Sequence, residues 1–120
     1  MFLKIYRSNS LLTNNNILCV RMSSTEGRYK LLNGGYLGYK QYKPTIKNNK
    51  PGVIFCSGFL SNMNGNKAVY LVGYCQKHNL PYLRFDYIGH KYSSGTIRDF
   101  RISTWKENTL TLLDNLTEGM

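Results

Sequence analysis

The sequence has few acidic residues, few histidines and no long apolar segment. Only six Asp or Glu residues stand against 16 Lys or Arg in 120 residues, which gives a formal net charge of +10. The histidines are His78 and His90, and the cysteines are Cys19, Cys56 and Cys75, with no metal-ligand spacing among them. We therefore predict buried, reduced thiols and expect no metal or organic cofactor. No apolar run approaches the roughly 18 residues that a membrane span needs.

The positive charge is concentrated toward the N-terminus. Residues 1–50 hold nine basic residues and one acid, whereas residues 51–120 hold seven basic and five acidic residues. The first 25 residues contain no acid, three basic residues and four serines, a composition typical of a mitochondrial transit peptide. We predict that residues 1–27 form such a leader, with a disordered terminus and a secretory signal as the alternatives. The expected location is mitochondrial, with the cytoplasm as the alternative.

The central feature of the remaining chain is a short apolar run, Val53 to Cys56. It follows the breaker Pro51-Gly52 and ends in a turn of small residues. Such a run predicts a strand buried on both faces, as in a parallel sheet. Parallel sheets carry their chemistry at the carboxyl ends of the strands, so the first place to look for a site is residues 58–60.

Residues 28–120 contain signals for one α/β domain. Asn33-Gly34-Gly35 predicts the turn of an antiparallel hairpin over residues 28–43 at a sheet edge. Asn64 is a possible cap for a helix that ends near His78, and a strand follows at residues 82–86. Thr104-x-x-Glu107 matches a capping box at the start of a helix over residues 104–117. The predicted order is β-β-β-α-β-α with a parallel pair of strands.

Three separate blocks of the chain resemble the α/β-hydrolase superfamily. They are GVIFCSGFLSNMNGNKA, LRFDYIGHKYSSG and STWKENTLTLLDNL, in this order, within a match over roughly residues 30–119. Within the superfamily they resemble the mitochondrial proteins described as palmitoyl-protein thioesterases and acyl-glucuronide esterases. The resemblance implies the N-terminal half of a hydrolase sheet, truncated before the strand that bears the nucleophile. The implied partner is an acyl ester or thioester, such as an S-acylated protein or an acyl glucuronide.

The resemblance assigns an oxyanion turn to Ser57, Gly58 and Phe59. The backbone N–H of Phe59 would donate to the tetrahedral oxyanion, and the second donor would come from the residue after the nucleophile. Gly58 would allow the close approach of the backbone. These roles are implied by the resemblance alone.

The same resemblance makes Asp86 and Gly89 part of a structural turn that borders the mouth of the site. Lys91 stands where the family has its second glycine, so the shape of this turn departs from the pattern. The sequence contains no Gly-x-Ser-x-Gly. The nucleophile, the acid and the histidine are expected beyond Met120, and the 120-residue chain alone is expected to be inactive. His90 lies in a turn and is predicted to be a solvent-exposed loop residue, with a place in the lining of the site mouth as the alternative.

Two other classes of function stay open at this point. A noncatalytic fragment would bind a partner through the strand edge that the missing nucleophile strand leaves bare, and such an edge also predicts aggregation of the isolated chain. A basic nucleic-acid-binding module is suggested by the charge and by ten tyrosines. It is disfavoured because much of the charge lies in the N-terminal third and the tyrosines form no stacking block. The sequence does not define the acyl group or the oligomeric state.

Overall fold

The described part of the chain forms a five-stranded mixed sheet with a helix on each face. The computed structural model describes residues 2–7 and 22–117, with the backbone alone for residues 2–7. The elements in chain order are β1 (Phe2–Arg7), β2 (Met22–Lys30), β3 (Tyr36–Pro44), β4 (Pro51–Cys56), α1 (Asn66–Lys77), β5 (Tyr82–Phe85), a single 3₁₀ turn (Ile97–Asp99) and α2 (Ile102–Leu116). The strand order across the sheet is β1-β4-β5-β3-β2. The α/β class predicted from the sequence is confirmed.

The predicted hairpin is present, with longer strands than expected. β2 and β3 pair antiparallel from Met22 with Pro44 to Lys30 with Tyr36. The turn closes through hydrogen bonds from Gly34 N to Leu31 O and from Leu31 N to Gly35 O, at 3.1 and 2.7 Å. Because β2 begins at residue 22, the sheet includes residues on both sides of the leader boundary that we predicted at residue 27.

The parallel pair β4–β5 forms the centre of the sheet and separates two apolar clusters. Val53 pairs with Tyr82 and Cys56 with Phe85 in a parallel register. Alternate residues of each strand point to opposite faces, so one face packs on α1 and the other on α2. The cluster on α1 includes Val53, Phe55, Ala68, Cys75 and Tyr82, and the cluster on α2 includes Ile54, Cys56, Leu83, Phe85, Leu112 and Leu113. β4 is therefore buried on both faces, as its sequence predicts.

Both helix starts differ from the sequence predictions. The N-cap of α1 is Gly65 rather than Asn64, and no side chain caps that end. The α2 helix begins at Ile102 with Arg101 as its N-cap, so Thr104 is the third residue of the helix and the capping box is wrong. The physical reason is the cap geometry, since Arg101 has the extended backbone of an N-cap, with φ of −112° and ψ of 166°.

The edge of β4 that we predicted to be bare is covered. Residues 2–7 pair with it antiparallel, from Phe2 opposite Cys56 to Arg7 opposite Pro51. The sequence prediction missed this strand because a basic, acid-poor N-terminus was interpreted only as a leader. Cys19 lies outside the described residues, whereas Cys56 and Cys75 are buried, reduced thiols, as predicted.

Candidate active site

A tight turn follows β4 at its carboxyl end. Ser61 N donates to Gly58 O at 3.0 Å, and Leu60, the third residue of this four-residue turn, has φ of 60°. A positive φ at that position is typical of a type II turn, which favours glycine there and tolerates proline at the second position. The strain of placing leucine in the left-handed region is of the kind that collects at functional sites.

The turn presents an unused backbone donor. Within residues 2–7 and 22–117, no hydrogen bond is formed by the N–H of Phe59, the second residue of the turn. The Phe59 side chain is 67% exposed, and its ring lies 5.8 Å from the ring of Trp105 in α2. The structure thus places Phe59 between the end of β4 and the first turns of α2.

An apolar cleft opens beside this turn. Its volume is about 700 Å³, and it is lined by Cys56, Ser57, Phe59, Tyr87, Ile102, Trp105, Lys106, Thr109 and Leu110. Burial, with a contribution from the neighbouring Cys56 thiol, raises the pKa of Tyr87. The phenol therefore stays neutral near pH 7, and the cleft offers an uncharged, mostly hydrophobic wall. Trp105 and Tyr87, whose ring centroids are 5.7 Å apart, form one side of it.

Asp86 joins two loops around this mouth. The residue is fully buried, and its carboxylate accepts hydrogen bonds from Met63 N at 2.7 Å and from Tyr92 N at 3.0 Å. Burial raises the pKa of Asp86 above its usual range, although the two N–H donors act in the opposite direction. The loop after β4 and the loop after β5 are thereby held together, and Asp86 does not face the cleft as one of its lining residues.

The loop after β5 needs its glycine. Gly89 has φ of 84°, and a Cβ atom there would lie 3.0 Å from the backbone of Ile97. Lys91, at the position that departs from the family pattern, is exposed, and its ammonium lies 5.3 Å from the centre of the Tyr92 ring. The lysine therefore adds positive charge at the surface of the turn without entering its core.

His90 is buried, which makes the sequence prediction of an exposed loop residue wrong. The side chain is 6% exposed and packs edge-on against Tyr87 and Trp105, at 5.7 and 5.2 Å between ring centroids. The His90 side chain is buried because the aromatic side chains of Tyr87, in the loop, and Trp105, in α2, pack against it. His78 is the C-cap of α1, in keeping with its predicted place at a helix terminus.

Sequence reasoning missed two polar residues that fix the site. Asn108 of α2 is 4% exposed and accepts a hydrogen bond from Ile88 N at 3.0 Å, which ties the helix to the loop after β5. Arg84 is 6% exposed and donates to Met63 O at 2.8 Å. The only available signal was a polar residue in an apolar stripe or strand. Within the described ranges, no group of three or more His, Cys, Asp or Glu residues is arranged to hold a metal ion.

Comparison with curated proteins finds relatives of one kind, and no family model matches the chain. The rat and human proteins named palmitoyl-protein thioesterase ABHD10, mitochondrial, are 39% and 35% identical to it over 83 residues. The aligned part is 69% of this chain but only 27% of the rat protein and 26% of the human protein. The chain thus spans about a quarter of the length of the curated relatives it matches.

Solved structures give the same relationship. Mouse alpha/beta hydrolase domain-containing protein 10 matches with a TM-score of 0.69 and 34% identity, over 79% of this chain and 36% of the mouse chain. A putative hydrolase from Agrobacterium vitis S4 matches with a TM-score of 0.64 over 80% of this chain and 37% of its own, and its 24% identity supports the fold alone. The chain is therefore related to the α/β-hydrolases in sequence and in fold. No helix in residues 22–117 has both the length and the apolar character needed to cross a membrane.

Proposed function

We propose that this chain supplies the oxyanion turn and one wall of the acyl site of a serine hydrolase acting on carboxylic esters or thioesters. The observation that carries the proposal is the unused N–H of Phe59, placed by a strained turn at the mouth of a cleft of about 700 Å³. Ser57 and Gly58 lead the chain out of β4 into that turn. The relationship to α/β-hydrolases supports the assignment, and the apolar lining of the cleft suits an acyl chain.

In the proposed reaction this chain supplies an oxyanion donor, and residues outside it supply the nucleophile and the proton acceptor. A serine Oγ attacks the carbonyl carbon while a histidine accepts its proton, and the carbonyl oxygen becomes an oxyanion. The N–H of Phe59 donates to that oxyanion, with a second donor from the residue after the nucleophile. Collapse expels the alcohol or thiol, which takes the proton from the histidine, and water then hydrolyses the acyl-enzyme. Because the sequence lacks Gly-x-Ser-x-Gly, the nucleophile, the acid and the histidine would lie beyond these 120 residues, and the chain alone would be inactive.

Asp86 and Gly89 belong to the supporting structure of this site. Asp86 holds the Met63 end of the loop that carries Phe59, and Gly89 allows the neighbouring loop to pass close to Ile97. We further propose residues 28–120 as part of the hydrolase domain, and a mitochondrial location. We propose residues 1–27 as a mitochondrial leader, whose removal would take away β1 and the first six residues of β2 and would leave the edge of β4 open. The leader-like composition and the word mitochondrial in the names of the rat and human relatives support that location.

The first test measures the size of the endogenous protein and its labelling by a serine-directed probe. An antibody against residues 106–118 would recover the protein from its source, and a fluorophosphonate probe would then be applied. A labelled band well above 13.8 kDa supports the proposal. An unlabelled band at or below 13.8 kDa contradicts it and favours a noncatalytic fragment that binds a partner.

The second test removes the donor without removing the turn. The Phe59→Pro substitution is made in the endogenous full-size protein that the probe labels. It deletes the N–H at a position where a type II turn accepts proline, so kcat should fall about 10²- to 10³-fold. Phe59→Ala keeps the N–H and is the matched control for the lost ring. Equal activity of the two variants would show that the Phe59 N–H does not stabilise the oxyanion.

A further inference from the structure

The first turn of α1 has no cap and no counter-charge. Its N-cap is Gly65, which has no side chain, and the first turn contains no acidic residue. In the described part of the chain, the N–H groups of Asn66, Lys67 and Ala68 have no hydrogen-bond partner. These groups carry the positive end of the helix dipole, which attracts anions.

A buried hydroxyl without a partner lies beside this helix end. Ser57 is 5% exposed, and its Oγ forms no hydrogen bond within the described residues. Ser57 and the start of α1 line one cavity of about 390 Å³ with a mixed polar and apolar surface, together with Phe55, Gly58, Ser61, Asn62 and Gly65. Because buried polar atoms are nearly always hydrogen-bonded, this hydroxyl indicates that a polar group binds in a cavity that it lines. This cavity is separate from the apolar cleft, although Ser57 lines both.

The one charged residue among those that line the cavity is basic. Lys67 lines it from the first turn of α1. The buried Arg84 guanidinium binds the loop before α1, where it donates to Met63 O and to Asn64 Oδ1, at 2.8 and 3.1 Å. Within the described residues, Arg84 has no carboxylate within ion-pair distance. The Asp86 carboxylate also faces this loop, but it accepts hydrogen bonds from the N–H groups of Met63 and Tyr92.

We propose that this cavity binds an oxyanion, the phosphate or carboxylate group of a small ligand. The N–H groups of the first turn and the Ser57 hydroxyl donate to its oxygens, and the Lys67 ammonium supplies the opposite charge. The site does not depend on the proposed hydrolase chemistry, because its donors are N–H groups of α1, the Ser57 hydroxyl and the Lys67 ammonium, and it does not use the N–H of Phe59.

The test is an NMR titration of the complete, ¹⁵N-labelled 120-residue chain. Inorganic phosphate and sodium acetate are added in separate series at constant ionic strength, and the amide signals of residues 66–68 are followed. Saturable shifts confined to these amides and their loop neighbours are the expected result. Tighter binding of phosphate would identify the ligand group as a phosphate, and tighter binding of acetate would identify it as a carboxylate. Linear or absent shifts in both series would overturn the proposal.

A single substitution should place a carboxylate of the protein itself in the proposed anion site. The nearest heavy atom to a Cβ built on Gly65 is Asn62 O at 3.5 Å, so Gly65→Asp fits, and its carboxylate would cap the same N–H groups. We expect anion affinity to fall about tenfold or more while the amide spectrum stays dispersed, because the added carboxylate competes for the donors and repels the ligand. Unchanged affinity in this variant would exclude the helix end as the site.

Two further variants separate the site from general attraction by a basic protein. Ser57→Ala removes the unpaired hydroxyl and should weaken binding about threefold to tenfold. Lys67→Gln should weaken it by about twofold to fivefold, whereas Lys77→Gln, the same charge change in the last turn of α1, should have no effect. An equal loss in the two lysine variants, or wild-type affinity in Ser57→Ala, would refute the proposed site.

Discussion

Asp86 and Met63 connect the two loops that surround the candidate site. The Asp86 carboxylate, placed just after β5, accepts a 2.7 Å hydrogen bond from the backbone N–H of Met63, 23 positions earlier in the chain. Its second oxygen accepts a 3.0 Å hydrogen bond from Tyr92 N. One side chain thus satisfies a donor in the loop after β4 and another in the loop after β5, so the position of the loop that contains the turn at residues 58–61 depends on the end of the neighbouring strand.

Replacing Asp86 by Asn should destabilise the protein. The amide keeps one acceptor oxygen but turns an NH₂ group toward one of the two backbone donors, leaving it unsatisfied in a buried position. The expected loss is about 1–3 kcal/mol in the free energy of unfolding, measured by urea denaturation. Asp114→Asn, at an exposed position of α2, makes the same chemical change and should shift the free energy by less than about 0.5 kcal/mol. Equal effects of the two variants would show that the paired hydrogen bonds of Asp86 do not stabilise the fold.

Two glycines should respond in opposite directions to alanine. A Cβ at Gly38 in β3 would lie 2.4 Å from Tyr92 O, a backbone atom of the loop after β5, so Gly38→Ala must displace that loop. We expect a loss of about 1–3 kcal/mol by analogy with overpacking. Gly73 in α1 has open space within 4 Å of the position that an added methyl group would take, and Gly73→Ala should stabilise the helix by about 0.5–1 kcal/mol. Thermal unfolding of both variants checks this prediction, and a destabilised Gly73→Ala would contradict it.

The buried thiol of Cys75 should make stability fall at alkaline pH. Burial raises the pKa of Cys75 from 9.0 to about 11, so between these values the folded chain retains a proton that the unfolded chain releases. The stabilising contribution is complete below pH 9 and is lost as the pH rises through 11, with a slope of at most about 1.4 kcal/mol per pH unit. Urea denaturation from pH 8 to 10 should show a steeper decline for the wild type than for Cys75→Ala. Parallel declines would assign the effect to other groups.

The central strand and the hairpin were predictable because their signals are local. An apolar run between breakers defines β4, and Asn33-Gly34-Gly35 defines the turn between β2 and β3. The helix caps were not predictable, because Arg101 and Gly65 are N-caps through their backbone geometry and not through a side chain. His90 was misjudged because its burial depends on packing against Tyr87 and against Trp105 of α2, which the sequence of a turn does not specify.

The position of the candidate site could be predicted, but its supporting polar contacts could not. The turn at residues 57–59 follows from the resemblance to α/β-hydrolases and from the end of a buried strand. The contact between Asn108 and Ile88 N joins residues 20 positions apart, and that between Gly38 N and Ser93 Oγ joins residues 55 positions apart. Such pairs are set by tertiary packing, so neither residue type nor local spacing signals them.

Strand β1 covers a sheet edge that would otherwise be open, and its removal should expose specific backbone groups. Val53 N donates to Pro81 O on the β5 side at 2.7 Å. Because alternate residues of a strand direct their N–H groups to opposite neighbours, the N–H groups of Ile54 and Cys56 face β1. Deleting residues 1–7 should therefore abolish the slow hydrogen exchange of Ile54 and Cys56 while Val53 and Phe55 keep theirs. An open apolar edge also favours association, so the deleted chain should form concentration-dependent oligomers in light scattering. A variant with residues 2–7 replaced by a Gly/Ser segment of equal length separates strand pairing from chain length and should behave like the deletion. Wild-type protection of Ile54 in either variant would show that β1 does not protect this edge.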